Sequence, residues 1–255
     1  MKIALCISGQ PRNVHRGIEN ILQNMNFDLD VFCHSWWDKD SSKQTFKKTL
    51  WDGREDEVSE LVKNDWMSEL YEKLDVKKLF IEKQKHFIIP EEFEKRKLKF
   101  TNTFSVYSSL YSVFKCNELK KEYEIENNFI YDFVIRTRFD FGLSEMININ
   151  NFKKDIIYAP NDNSHNYGFN DQFAIGSSKD IDIYSNVFLN IKSILKSHNT
   201  GIYTAHYCKQ PDNVGHEQLL QRHLENNNVK FELLDFKNFI FRDEDKRTRI
   251  HSIEG

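Results

Sequence analysis

The sequence predicts an α/β fold built on one mixed, mostly parallel sheet flanked by helices. Three consecutive segments predict it. Residues 2–7 (KIALCI) are a short apolar run that stops at Ser8-Gly9-Gln10-Pro11, as a buried strand stops at a turn. Val14, Ile18, Ile21, Leu22 and Met25 then recur at helical spacing. Residues 28–34 (DLDVFCH) read as a second strand. Strand, helix and strand in that order make a βαβ unit, which requires a parallel sheet.

The later elements continue the alternation. Residues 38–100 are rich in Lys, Glu and Asp and read as a charged, helical, insertion-like region. Within it, Leu61, Trp66, Leu70 and Leu74 predict a helix, and residues 78–82 a short strand. The mixed run EEFEKRKLK at 91–99 reads as a solvated helix face. Phe104, Tyr107, Leu110, Tyr111 and Phe114 predict a helix over 103–122 with an aromatic core stripe and Thr103 as its N-cap. Residues 129–135 read as a central strand, broken only by Asp132. A strand over 172–176, helices over 181–195 and 216–224, and a strand over 229–234 follow. Residues 242–255 read as a charged surface tail. No repeat or strong linker divides the chain, so it is read as one domain over 1–255.

Composition narrows the functional classes. The net charge of −3 is far from the basic footprint of a nucleic-acid binder. The four cysteines, at 6, 33, 116 and 208, form no C-x-x-C pair, which argues against a zinc or redox motif. Cys6 and Cys33 lie in strand-like runs and read as buried reduced thiols, which suits a reducing compartment. The first twelve residues lack a secretory signal, and no run approaches a membrane span. A cytoplasmic protein is expected, with peripheral membrane contact left open and no obligate protein partner implied.

Three polar clusters stand where strands are expected to end. Ser8, Gly9, Gln10 and Arg12 follow the first strand. Gly9 permits close backbone approach, and the Arg12 fork suits a phosphate. An ordinary strand-to-helix turn is the alternative. No P-loop or G-x-G-x-x-G pattern is present. Arg136, Arg138 and Asp140 emerge from the central strand, where arginines can neutralise a diphosphate and a carboxylate can hold Mg²⁺ or Mn²⁺. A structural Arg–Asp ion pair is the alternative. Asp171, in Asn170-Asp171-Gln172, is a candidate general base or a turn cap. His216 and Glu217 open a helix. Glu217 answers the helix dipole or contacts sugar hydroxyls, and His216 is a candidate metal ligand. His34, Trp36 and Trp37 read first as packing and second as a stacking face.

The ordered motifs MKIALCISGQPR, DVFCHSWW, YDFVIRTRFDF and NDQFAIGSS resemble glycosyltransferases of bacterial lipopolysaccharide and capsule synthesis and of large algal DNA viruses. The resemblance runs from residue 1 to about 225 (weakest across 38–100). It implies a GT-A-like, Rossmann-like fold and transfer of a sugar from a nucleoside-diphosphate sugar to a glycan acceptor. It also implies Mn²⁺ or Mg²⁺ held by a D-x-D motif after the central strand. Here that place reads Arg138-Phe139-Asp140, with one carboxylate where the motif has two. Asp28-Leu29-Asp30 has the spelling but opens a strand, and Asp180-Ile181-Asp182 opens a helix. A sugar nucleotidyltransferase is a rival, although SGQPRN lacks its Gly-rich, Lys-bearing turn. A non-catalytic glycan-binding or scaffold protein is another.

Overall fold

The computed structural model describes residues 1–38, 45–49, 55–59, 65–94, 103–161, 168–197, 215–235 and 238–241, with backbone alone for 45–49 and 55–59. The first part of the chain forms β1 (Ile3–Gly9), α1 (Val14–Asn24) and β2 (Asp30–Trp36). A hairpin of β3 (Thr45–Thr49) and β4 (Glu55–Ser59) comes next, then α2 (Trp66–Lys73), β5 (Val76–Glu82) and the single turn α3 (Glu91–Glu94). The long helix α4 (Thr103–Glu126) leads into β6 (Phe133–Thr137), β7 (Phe141–Leu143) and β8 (Ile157–Pro160). After these come β9 (Ala174–Gly176), α5 (Ser178–Ser185), α6 (Val187–Ser197), α7 (His216–Asn226), β10 (Phe231–Leu234) and β11 (Asn238–Ile240).

Seven strands form the main sheet in the order β10-β8-β9-β6-β1-β2-β5. Strands β1, β2, β5 and β6 are mutually parallel, and β9 is antiparallel to both β6 and β8. The expected mixed, mostly parallel α/β sheet is therefore present. Side-chain alternation divides its two faces. Leu5, Ile7, Val31, Cys33 and Ile135 pack with Ile18 and Ile21 of α1 and Leu70 of α2. Ala4, Cys6, Phe32 and Val134 pack with Leu110 and Val113 of α4, Ile181 and Tyr184 of α5, Ile191 of α6 and Leu220 of α7. Parallel crossovers are right-handed, so reversing the direction of travel along the sheet moves the connecting helix to the other face. The run β1 to β2 to β5 uses one face, and the return to β6 through α4 uses the other.

Several expected boundaries shift. The strand expected at 129–135 starts at Phe133. Residues 127–132 are occupied in ending α4: Asn128 adopts a left-handed φ of 52°, Phe129 N bonds to Glu124 O at 3.1 Å, and Tyr131 N bonds to the Glu124 side chain at 2.9 Å. The helix expected at 181–195 is two helices, because Asn186 closes α5 by donating to the carbonyls of Asp182 and Ile183. Ser177 caps α5, bonding Asp180 through both its backbone and its carboxylate, so Asp180 has a capping role. Strands β7, β8 and β11 were not foreseen, nor was the β3–β4 hairpin within the charged region. The tail at 242–255, Cys208 and much of the charge run at 91–99 lie outside the described residues.

A buried polar network ties α4 to α5. Lys120 is fully buried, and its Nζ meets Ser178 Oγ at 2.5 Å, Asp182 Oδ1 at 2.8 Å and Glu124 Oε2 at 3.1 Å. Ser178 also donates to Glu124 at 2.7 Å, and Asn117 donates to Asp182 at 2.8 Å. Removing one member of such a network leaves its partners' charges stranded. Lys120→Met is therefore expected to cost about 3–5 kcal/mol in equilibrium denaturant unfolding. A loss below about 1 kcal/mol, the range of an exposed ion pair, would show that the network does not hold the two helices.

Candidate functional site

The order of the strands identifies the place for a ligand. β1 has β2 on one side and β6 on the other, both parallel to it. The chain leaves β1 in one direction and later returns to its opposite flank. Open α/β sheets bind ligands at such a switch point, beyond the carboxyl ends of the strands. Ile7 lies opposite Thr137, so the turns at 8–12 and 136–140 are neighbours across the switch. Strand β9 runs the other way, which brings the segment before it, 168–173, to the same edge.

The first turn is built for close approach. Gly9 has φ +122°, a conformation that excludes ordinary side chains. Ser8 is buried, and its hydroxyl has no hydrogen-bond partner among the described residues. The Arg12 guanidinium bonds the Gln10 side chain, and Arg12 N bonds Gln10 O at 2.8 Å. Helix α1 starts directly afterwards and carries no acidic residue in its first turn, so its positive end is not countered from within.

The second turn is held from three sides. Gly17 of α1 lies so close to Phe139 that a Cβ there would overlap the Phe139 carbonyl oxygen. Asn20 of α1 bonds both backbone groups of Leu143, at 2.7 and 2.8 Å. Phe241 N bonds Asp140 O at 2.7 Å, beyond the β7–β11 pairing. Within this frame Arg138 grips Asp140 bidentately, Nε to Oδ1 at 2.8 Å and Nη2 to Oδ2 at 2.9 Å. The Asp140 side chain is 3% exposed and that of Arg138 is 29% exposed. Arg136 is 4% exposed; its Nη1 donates to the backbone oxygen of Asp171, and its Nε has no partner among the described residues.

The third segment docks on α7. A Cβ on Gly168, whose φ is +147°, would overlap the backbone of Glu217, and Phe169 N bonds Glu217 O at 3.1 Å. Asn170 caps the turn by accepting from Gln172 N at 2.8 Å and Phe173 N at 3.4 Å. The amides of Gln172 and Phe173 are thus capped by Asn170. Tyr184 of α5 joins this group although the sequence did not single it out. Its hydroxyl is buried without a hydrogen-bond partner among the described residues. Burial raises its pKa, the Arg136 charge opposes the rise, and the carboxylates of Asp171 and Glu217 reinforce it. Arg136, Asp171, Glu217 and Tyr184 therefore share one electrostatic neighbourhood. Tyr184 sits at a helical core position, and nothing in that spacing distinguishes it from a packing aromatic.

The residues on these turns fit a divalent cation poorly. Both carboxylate oxygens of Asp140 are held by Arg138. Among the described residues no group of three or more His, Cys, Asp or Glu is placed to hold a metal ion, so His216 and Asp140 do not join such a group. Asp30, the end of the D-x-D spelling at 28–30, lies at the amino end of β2, away from the switch point, and accepts from the Tyr131 hydroxyl at 2.6 Å. Asp182, from the other D-x-D spelling, belongs to the Lys120 network.

A family model described as a domain of unknown function, DUF7796, matches residues 99–210, less than half of the chain. No curated protein sequence matches the chain. Mouse xyloside xylosyltransferase 1, in its apo form, has 12% identity and a TM-score of 0.46, covering 92% of this chain and 84% of its own. The glycosyltransferase GlyE of Streptococcus pneumoniae TIGR4 has 10% identity and a TM-score of 0.39, covering 92% of this chain and 45% of its own. This chain therefore spans under half the length of that second protein.

His34, Trp36 and Trp37 serve packing. His34 is fully buried, with Nδ1 2.7 Å from Ser112 Oγ and Nε2 3.0 Å from Glu82 Oε1. The Trp36 indole donates to Ser108 O at 3.1 Å and stacks on Tyr111 at 5.3 Å, and Trp37 meets Trp66 edge-on. Burial lowers the His34 pKa from 6.5 to about 4, against the opposing pull of Glu82. The unfolded chain gains this proton near pH 6.5, whereas the folded chain gains it only near pH 4. Stability is thus lost as pH falls through that window, by up to about 3 kcal/mol. His34→Gln is expected to flatten the stability profile between pH 7 and 4.5 in denaturant unfolding. An equally steep acid loss in the variant would assign the effect to other groups.

Proposed function

We propose that the chain is a glycosyltransferase that moves a sugar, of hexosyl type, from a nucleoside-diphosphate sugar to a hydroxyl of a glycan acceptor. One observation carries the reading: the turns at Ser8–Arg12 and Arg136–Asp140 stand side by side at the switch point between β1 and β6. That is where a nucleotide binds in open α/β sheets. The close approach allowed at Gly9 and the unpartnered Ser8 hydroxyl suit the nucleotide, and Arg12, Arg136 and Arg138 suit its diphosphate.

In the proposed reaction the acceptor oxygen attacks the anomeric carbon while the bond from that carbon to the diphosphate oxygen breaks. The diphosphate leaves with the electron pair. Guanidinium groups already in place at that oxygen stabilise the developing charge without reorganising. In an inverting reaction Asp171 takes the acceptor proton; in a retaining one it orients the donor. Glu217, held beside it through the Gly168–Glu217 contact, is assigned to sugar hydroxyls. Action in the cytoplasm, in surface polysaccharide, lipopolysaccharide or glycoprotein glycan synthesis, fits the buried free thiols Cys6, Cys33 and Cys116. Among the described residues no helix is long and apolar enough to cross a membrane.

Two tests follow. UDP, GDP or dTDP, titrated with Mn²⁺ present, is expected to stabilise the fold. At one hundred times its Kd a nucleotide contributes about 2.7 kcal/mol, or roughly 5–10 °C in Tm at this chain length. No shift with any of the three would overturn the donor-site assignment. Once a donor that is turned over has been found, Asp171→Asn is expected to keep nucleotide affinity while lowering turnover about 10²-fold or more if Asp171 is the base. Near-normal turnover would remove Asp171 from the mechanism.

A further inference from the structure

We propose that the donor diphosphate is held by arginine side chains alone, with no divalent cation between protein and phosphate. The inference rests on the nucleotide-sugar reading and adds how the charge of that substrate is met.

The geometry of the second turn carries it. A carboxylate that ligates a metal must keep an oxygen available for the ion. At Arg138-Phe139-Asp140 a guanidinium stands where the resembled motif has its other carboxylate, and it closes in a two-point fork on both oxygens of Asp140. The turn cannot readily swing open to release them. The Phe139 carbonyl abuts Gly17, the Asp140 carbonyl is bonded by Phe241, and Leu143 is pinned by Asn20. A cation entering here would have to displace a bidentate, charge-assisted pair from a 3% exposed carboxylate.

The second observation is Arg136. Arg136 is more than nine-tenths buried, its Nη1 donates to the neutral backbone carbonyl of Asp171, and its Nε has no partner among the described residues. The carboxylates of Asp171 and Glu217 share its neighbourhood, and a phosphate oxygen would fill the donor that is left. The two turns at the switch point together carry three arginines and one aspartate. Within these two turns the arginines outnumber the carboxylate, and planar forks match phosphate oxygens in pairs. Arg138, paired with Asp140, and Arg136 thus take the place a cation would hold.

Isothermal titration of the full chain with UDP, GDP and dTDP, once in excess EDTA and once in excess Mn²⁺, tests this. The expected result is binding of at least one nucleotide in EDTA, with an affinity within about tenfold of that in Mn²⁺. Affinity more than tenfold tighter in Mn²⁺, or binding only there, overturns the inference and leaves the nucleotide-sugar reading standing. Binding in neither condition overturns that reading, and the inference with it. Variants provide an independent arm. Asp140→Asn, nearly isosteric, is expected to keep its affinity in EDTA or tighten it, because Arg138 is freed of a competing charge; a loss beyond tenfold counts against the inference. Arg136→Gln is expected to weaken binding about tenfold to a hundredfold in both buffers. Unchanged affinity in that variant would remove Arg136 from the phosphate site. Thermal melting of each variant establishes that it is folded, and the wild-type comparison decides the question even where a variant is not.

Discussion

Strand β1 lies between two parallel neighbours that the chain reaches by travelling in opposite directions, and most of the molecule follows from that placement. Because right-handed crossovers are strongly preferred, the reversal sends α1 and α2 to one face and α4 to the other. Both faces of β1 are therefore covered, which explains why Ile3 to Ile7 are buried without alternation. The same reversal sets the carboxyl ends of β1 and β6 side by side, the place where open α/β sheets have their crevice. The polar turns at 8–12 and 136–140 occupy this gap.

Rigidity around the gap comes from small residues and backbone bonds. Gly17 lets α1 press against the turn at 138–140, and Gly168 lets the Asp171 loop press against α7. A single methyl group at either place would force the backbone apart. The short pair β7–β11 adds the last clamp, since Phe241 reaches back to the Asp140 carbonyl and accepts at its own oxygen from Asn13 at 3.3 Å. The arginines are thus presented by a scaffold that is already organised, which is the condition under which electrostatic stabilisation of a leaving group is most effective.

Polar burial in this chain takes two forms. In the Lys120 network the Lys120 ammonium has three oxygen partners, and the network serves to join α4 to α5. Beside the carboxyl edge, Ser8 Oγ, Arg136 Nε and Tyr184 Oη are buried without partners among the described residues. Other buried polar atoms lack a partner there too, Asn117 Oδ1 in the Lys120 network included, so it is the place of these three beside the strand ends that bears on the site. The contrast holds within single elements: β6 contributes Val134 and Ile135 to the two cores and Arg136 to the edge.

The periodicity of apolar residues by itself determined the α/β class, the first βαβ unit, α4 and α7. Those signals are local, because a helix or buried strand must repeat its apolar positions at its own period. The same reasoning placed Arg12, Arg136, Arg138 and Asp140 at strand ends. It did not find β7 or β11, whose three residues are too few to show a period, nor the break at Asn186, which depends on one side of a helix turning to a new neighbour. Strand order was decided only by tertiary structure, since hydrogen bonds between β1 and β6 join residues about 130 apart and leave no trace in local pattern. The pairing of Asp140 was likewise visible only in three dimensions: the sequence offered it as a metal ligand or as half of an ion pair, and the fold closes the Arg138 fork on both its oxygens, at 2.8 and 2.9 Å.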